Sequence, residues 1–85
     1  MPGRIDKQKQ QTLEENGYVY NFRRMIYINH SSKKLFSYEA IRDHDLNWIK
    51  SRITENNIGE WMFYFDSPPS DAVKSELLRD IGRNG

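Results

Sequence analysis

The residues best suited to chemistry in this sequence stand together at positions 43–45, where His44 is flanked by Asp43 and Asp45. A carboxylate can orient an imidazole, and an imidazole moves protons near neutral pH or binds zinc. Adjacent side chains at a helix entrance point in different directions, however, and Asp45 is placed to cap a helix. His30 is the only other histidine and cysteine is absent, so the three protein ligands usual at catalytic zinc are not available. We therefore predict no metal site and no cofactor.

The serines do not form a nucleophilic site either. Each of them falls in a predicted turn, cap or helix surface, and none stands in a glycine-flanked elbow between a strand and a helix. The glycines are isolated, so no phosphate-binding loop is present. A mechanism with two carboxylates would require Glu39, Glu60 and Asp66 to meet, which the sequence alone does not show. We predict that the chain is not an enzyme.

The most unusual stretch is residues 18–38, which holds six of the chain's eleven aromatic side chains. Charge is also segregated: residues 17–42 carry five basic groups and one acid, a net +4, whereas residues 43–85 carry five basic groups and eight acids, a net −3. Such asymmetry bears on partners rather than on fold. It fits either an anionic partner or a second copy of the chain.

The first half of the chain predicts a helix followed by a strand. Residues 4–16 favour helix, and Gly17 stands where a left-handed helix cap belongs. Residues 18–28 then alternate with a period of two, which is typical of a strand. Arg24 interrupts the apolar side of this alternation, so we expect either a bulge or bend there or a strand that begins at Met25.

The second half predicts a strand, a helix, a further strand and a last helix. A polar turn leads into a second strand at residues 34–38, and a helix capped by Asp45 follows. Residues 60–66 are apolar on both faces and predict a third strand. The prolines within residues 67–70 end it, and the final helix is expected to close at Gly82.

These elements predict an α+β fold in the order α-β-β-α-β-α. We expect one domain over residues 1–85, frayed at 1–5 and 83–85, with a small three-stranded sheet made of a hairpin and one further strand. If the third strand lies antiparallel beside the first, the first is central. The helices are expected to pack on one face and to leave the other open. The open face would carry some of Val19, Met25, Tyr27, Met62 and Tyr64.

The aromatic and basic segment predicts a protein-interaction module that self-associates through an exposed sheet face or a strand edge. The alternative is a nucleic-acid-binding protein whose hairpin stacks bases and neutralises phosphates. In a third reading the chain is a monomer and its aromatic residues are simply core. The predicted core side of the segment comprises Tyr18, Tyr20, Phe22, Ile26 and Ile28. The predicted partner-binding residues are Arg23, Met25, Tyr27, Lys33 and Lys34.

No membrane segment is predicted. The chain has no apolar run of the length that spans a bilayer, and residues 1–10 are polar without an apolar signal region. We therefore expect a cytoplasmic location, with a homo-oligomer or another protein as partner and nucleic acid as the second possibility.

Overall fold

Over the residues that the structure describes, the fold is α+β, with four strands and four helices. The computed structural model describes residues 6–57 and 59–84, of which residues 82–84 are described by backbone alone. The elements are α1 (Lys7–Glu15), β1 (Val19–Asn21), β2 (Ile26–Asn29), β3 (Lys34–Ser37), α2 (Tyr38–Asp43), α3 (Leu46–Thr54), β4 (Met62–Tyr64) and α4 (Asp71–Asn84). The predicted fraying of residues 1–5 lies outside the described residues, and so does that of Gly85.

The sheet has four strands in the order β1-β2-β3-β4. β1 and β2 are antiparallel, β2 and β3 are antiparallel, and β4 runs parallel to β3. The predicted three-stranded sheet is therefore wrong in strand number. The strand at residues 62–64 also lies beside the strand at 34–37, not beside the first one, so β2 and β3 are the central strands.

A tight reversal at residues 22–25 accounts for the additional strand. The backbone N–H of Met25 donates to the carbonyl oxygen of Asn21 over 2.8 Å, and the N–H of Arg24 donates to the side-chain Oδ1 of Asn21 over 3.0 Å. The bend expected at Arg24 thus reverses the chain completely. As a result Tyr20 lies opposite Tyr27, and the single strand predicted over residues 18–28 is a hairpin.

Helices cover both faces of the sheet. On one face Tyr27 and Phe36 pack with Leu13 of α1, Ile41 of α2 and Ile49 of α3. On the other face the apolar side chains of the central strands pack against α4. This second cluster contains Ile26, Ile28, Leu35, Leu77 and Ile81. The prediction of helices on one face is wrong, because the central strands present apolar side chains in both directions and each set requires its own cover.

The capping residues predicted from the sequence are confirmed at the end of α1 and at the start of α3. Gly17 follows α1 with φ +86°, and the N–H of Tyr18 returns to the carbonyl of Leu13 over 2.9 Å, which closes the helix with a left-handed cap. Asp45 Oδ1 accepts from the N–H of Trp48 over 2.9 Å at the start of α3. The last helix differs from the prediction, because α4 passes through Gly82 and ends at Asn84.

Candidate interaction surface

Exposed apolar side chains are concentrated on the β1–β2 hairpin. Phe22 is 85% exposed, Val19 67% and Met25 52%, whereas the remaining large apolar side chain of comparable exposure among the described residues, Val73, lies on α4. The prediction that Phe22 belongs to the core is wrong. The alternation that assigned it to the buried side ends at Asn21, where the chain turns. We call Val19, Phe22, Arg23 and Met25 the hairpin surface.

The backbone of this hairpin is strained at its tip. Met25 has φ +56°, in the left-handed region that residues with a side chain other than Asn or Asp rarely adopt. The four-residue loop requires such a residue before β2 begins, and Met25 occupies that position. A glycine or asparagine would adopt the same conformation at lower cost.

β1 also leaves one edge of the sheet open. The N–H of Tyr38 donates to the carbonyl of Met25 over 2.9 Å, so Met25 faces β3, and hydrogen-bonded positions then alternate along β2. Ile26 and Ile28 consequently face β1. Tyr20, which stands between their partners, turns its own N–H and carbonyl away from β2. β1 is an edge strand, so these two groups of Tyr20 point out of the sheet.

The five predicted partner-binding residues do not lie on one surface. Arg23 and Met25 are exposed at the hairpin tip, and Lys33 is exposed in the next turn, where its Nζ donates to the carbonyl of Gly59 over 3.2 Å. Tyr27 is 7% exposed and Lys34 is 2% exposed. The expected place of Tyr27 on an open sheet face is wrong, because helices α1–α3 cover that face.

Lys34 closes a helix instead of facing a partner. Its Nζ donates to the carbonyl oxygens of Arg52 over 2.7 Å, Ile53 over 2.8 Å and Glu55, all at the C-terminal end of α3. Burial lowers the pKa of this lysine, and the nearby carboxylate of Glu55 opposes that change. The cation thus satisfies carbonyl groups that the end of a helix leaves without an intrahelical donor.

Two further cations of the basic segment are neutralised within the chain. Arg24 forms ion pairs with Glu76, over 3.2 Å, and with Asp80, both on α4. Arg42 forms two hydrogen bonds to the carboxylate of Asp43, over 2.7 and 3.1 Å. The basic segment therefore meets acids of the chain's own acidic half.

Arg23 is the exception among the five basic residues of positions 17–42. It is exposed at the tip of the hairpin, and within the described part of the chain no hydrogen bond or ion pair involves it. The hairpin surface thus combines three exposed apolar side chains with one cation that has no polar partner among the residues that the structure describes.

In the fold, Asp66 lies beside the cluster of His44 and its flanking acids that the sequence indicates. The ring of His44 stacks on Trp48, with centroids 3.8 Å apart, and its Nε2 lies 3.3 Å from Oδ1 of Asp66. A hydrogen bond with Asp43 raises the pKa of Asp66, whereas Arg42 holds the pKa of Asp43 at about 2. The sequence could not show that Asp66 comes here from the end of β4.

This cluster joins the end of α2 to the segment after β4 and is open to solvent. Across residues 6–57 and 59–84, no group of three or more His, Asp or Glu side chains is arranged to hold a metal ion. The contacts of His44 and Asp66 therefore describe a surface link between two elements. The hairpin surface is the stronger candidate for function, because its apolar side chains are exposed to solvent.

Comparison with protein-family models, with curated proteins and with solved structures gives no significant match. Of the helices that the structure describes, none has the length and apolarity needed to cross a membrane.

Proposed function

We propose that this chain is a protein-interaction module that self-associates through the hairpin surface. The proposal rests on the exposure of Phe22, which has a relative solvent accessibility of 85%. Val19 and Met25 on the same hairpin are exposed as well. Single exposed apolar side chains are ordinary on a monomer, but several together mark a contact surface. A second copy is the occupant that fits both this apolar surface and the open edge of β1.

The composition of the hairpin surface supports contact with protein. Phenylalanine, methionine and arginine are enriched in protein interfaces, and an aromatic ring brings about 150–250 Å² of surface to a contact. The left-handed conformation of Met25 supports the same reading. Strained residues of this kind cost about 1–3 kcal/mol and cluster at functional sites.

The test is the mass of the protein in solution over a concentration series, by sedimentation or light scattering. We expect a monomer at low concentration and a dimer at high concentration. Phe22→Ser is expected to abolish the dimer, whereas Val73→Ser, which removes an exposed apolar side chain from α4, is the matched control and should leave it intact. Circular dichroism shows whether both variants fold. A wild-type protein that stays monomeric at the highest concentration would overturn the proposal.

Nucleic-acid binding draws less support from the structure. Of the five cations in the basic segment, Lys34 is buried, Arg24 and Arg42 pair with acids, and Lys33 donates to a carbonyl. Arg23 alone is left to meet a phosphate, whereas tight backbone binding uses several cations. Fluorescence anisotropy with short single strands at low salt tests this alternative, and binding that depends on Arg23 would favour it over self-association.

A further inference from the structure

We infer that two copies of this chain join edge to edge along β1, antiparallel, with Tyr20 opposite Tyr20 of the second copy. The inference rests on the proposed self-association and adds its geometry. It predicts one continuous eight-stranded sheet across a two-fold axis.

The backbone of Tyr20 selects this register. Its N–H and carbonyl point outward from the edge strand, as the alternation along β2 requires. In an antiparallel sheet, a hydrogen-bonded pair exchanges both N–H···O bonds, so a residue that forms such a pair with its own copy across the two-fold axis must present both groups outward. On the N-terminal side, the N–H of Tyr18 is already given to Leu13, and on the C-terminal side the loop begins at Phe22. Tyr20 is the central residue of the three-residue strand β1 and its outward-facing one.

The side chains agree with this register. With Tyr20 on the axis, Val19 lies opposite Asn21 of the second copy, and Phe22, the first residue of the loop, comes near Tyr18 of the second copy. Phe22 and Tyr20 are already on one side of the hairpin, with ring centroids 6.5 Å apart. The exposed ring of Phe22 would therefore rest on the tyrosine side of the second copy's β1, where cross-strand aromatic pairs are favourable.

Charge also agrees with the antiparallel arrangement. The same register places the loop that carries Arg23 at the N-terminal end of the second copy's β1, beside the C-terminal end of α1 with its exposed acids Glu14 and Glu15. The C-terminal end of a helix carries partial negative charge and attracts cations. Among the described residues no hydrogen bond or ion pair involves Arg23, so the acids of the second copy would supply its partner.

The size of the contact sets the expected strength. A three-residue edge with one hairpin tip from each copy belongs to the class of interfaces below about 1,200 Å² of total buried area, which are weak or transient. We therefore expect a dimer that forms and dissociates with concentration.

Cysteine cross-linking tests the register directly, because the chain has no cysteine of its own. A hydrogen-bonded antiparallel pair has its Cα atoms about 5.5 Å apart, within the range of about 4.4–6.8 Å that a disulfide spans. Tyr20→Cys should form a disulfide-linked dimer under mild oxidation. Val73→Cys is the matched control: it places an exposed cysteine on α4, away from β1, and leaves the ring of Phe22 in place. We expect cross-linking at position 20 to be at least about tenfold faster.

A second cross-linking experiment keeps the ring of Tyr20, which the Tyr20→Cys substitution removes, by mixing two variants at the neighbouring positions. Val19→Cys and Asn21→Cys chains should cross-link with each other when mixed, since a non-hydrogen-bonded pair has Cα atoms about 4.5 Å apart, and neither should cross-link efficiently alone. If the wild-type protein dimerises but neither cysteine pattern appears, the register is wrong while the proposed function stands. If the wild-type protein stays monomeric, both are overturned.

Discussion

At the scale of single residues, Lys34 shows that the role of a side chain depends on the element that packs against its strand. The sequence predicts Lys34 at the start of a strand, next to Lys33 in the preceding polar turn, and indicates a partner-binding cation. In the fold the two neighbours point apart. Lys33 stays exposed, while Lys34 reaches the end of α3 and becomes 2% exposed.

Lys34→Met is expected to destabilise the protein by about 1.5–3 kcal/mol, the range for hydrogen bonds to a charged group. The variant keeps much of the apolar volume but leaves carbonyls at the end of α3, including those of Arg52 and Ile53, without their donor. Urea denaturation measures the change in the free energy of unfolding. Lys33→Met, next in sequence but exposed, should cost less than about 0.5 kcal/mol. Equal losses in both variants would show that Lys34 does not act as a helix cap.

Met25 provides a second prediction at this scale. Its strained backbone lowers the stability of the fold, whereas its exposed apolar side chain favours self-association. Met25→Asn places a residue that tolerates φ > 0 at φ +56° and removes an apolar contact from the hairpin surface. We expect thermal stability to be unchanged or higher, by up to about 1 kcal/mol, and self-association to weaken. Thermal denaturation and the mass of the protein at one high concentration measure the two effects. A variant that loses stability and still dimerises fully would contradict both roles.

At the scale of elements, the helix caps could be predicted from the sequence. The chain reversal between β1 and β2 could not, because its loop lacks the usual turn residues. The left-handed cap at Gly17 and the N-cap at Asp45 are fixed by residues a few positions apart, so the sequence displays them. The β1–β2 loop contains no glycine or proline, and its left-handed position is held by Met25. Asn21, whose side chain accepts from the backbone of Arg24, was the one available turn signal.

The candidate site was missed for the same reason. Residues 18–28 taken as one strand put Phe22 on the buried side, but the chain turns there and leaves it exposed. Tyr27, expected on an open face, is buried because helices α1–α3 cover that face. Arg23 and Met25 were identified correctly as exposed. The parallel pairing of β4 with β3 depends on contacts between residues far apart in sequence, which periodicity does not encode.

Gly17→Ala tests the cap that joins α1 to β1. At φ +86° an added Cβ is strained, which costs about 1–2 kcal/mol, and it would also meet Nδ2 of Asn29 at 3.4 Å. Gly59→Ala is the matched control, since Gly59 has φ +77° and nothing within 4 Å of the added atom. We expect Gly17→Ala to lower the free energy of unfolding more than Gly59→Ala. The reverse order in chemical denaturation would argue against a structural role for the contact with Asn29.

At the scale of the whole molecule, the segregation of charge is mostly an internal feature. The basic hairpin and the C-terminal helix are joined by Arg24, which reaches the acids Glu76 and Asp80. The sequence shows that charge is segregated but not that the two halves form ion pairs with each other, because they come together only when α4 packs on the second face of the sheet. What remains for a partner is the apolar tip and Arg23.

The buried tyrosines give the molecule a dependence on alkaline pH. Burial raises the pKa of Tyr27 to about 12, and burial together with the hydrogen bond to Glu55 raises that of Tyr64 to about 12, against about 10 in an unfolded chain. The folded state therefore holds these protons more tightly. The resulting stabilisation is fully present below about pH 10 and is lost as the pH rises through about 12.

We therefore expect the free energy of unfolding to fall steadily between about pH 10 and pH 12. Ultraviolet absorbance of tyrosinate should show part of the tyrosine signal titrating late in the folded protein, whereas in denaturant all tyrosines should titrate near about pH 10. Tyr27→Phe removes one delayed group, so its stability should fall less steeply with pH than that of the wild type. A folded protein whose tyrosines all ionise near pH 10 would contradict the packing of Tyr27 and Tyr64 between the sheet and helices α1–α3.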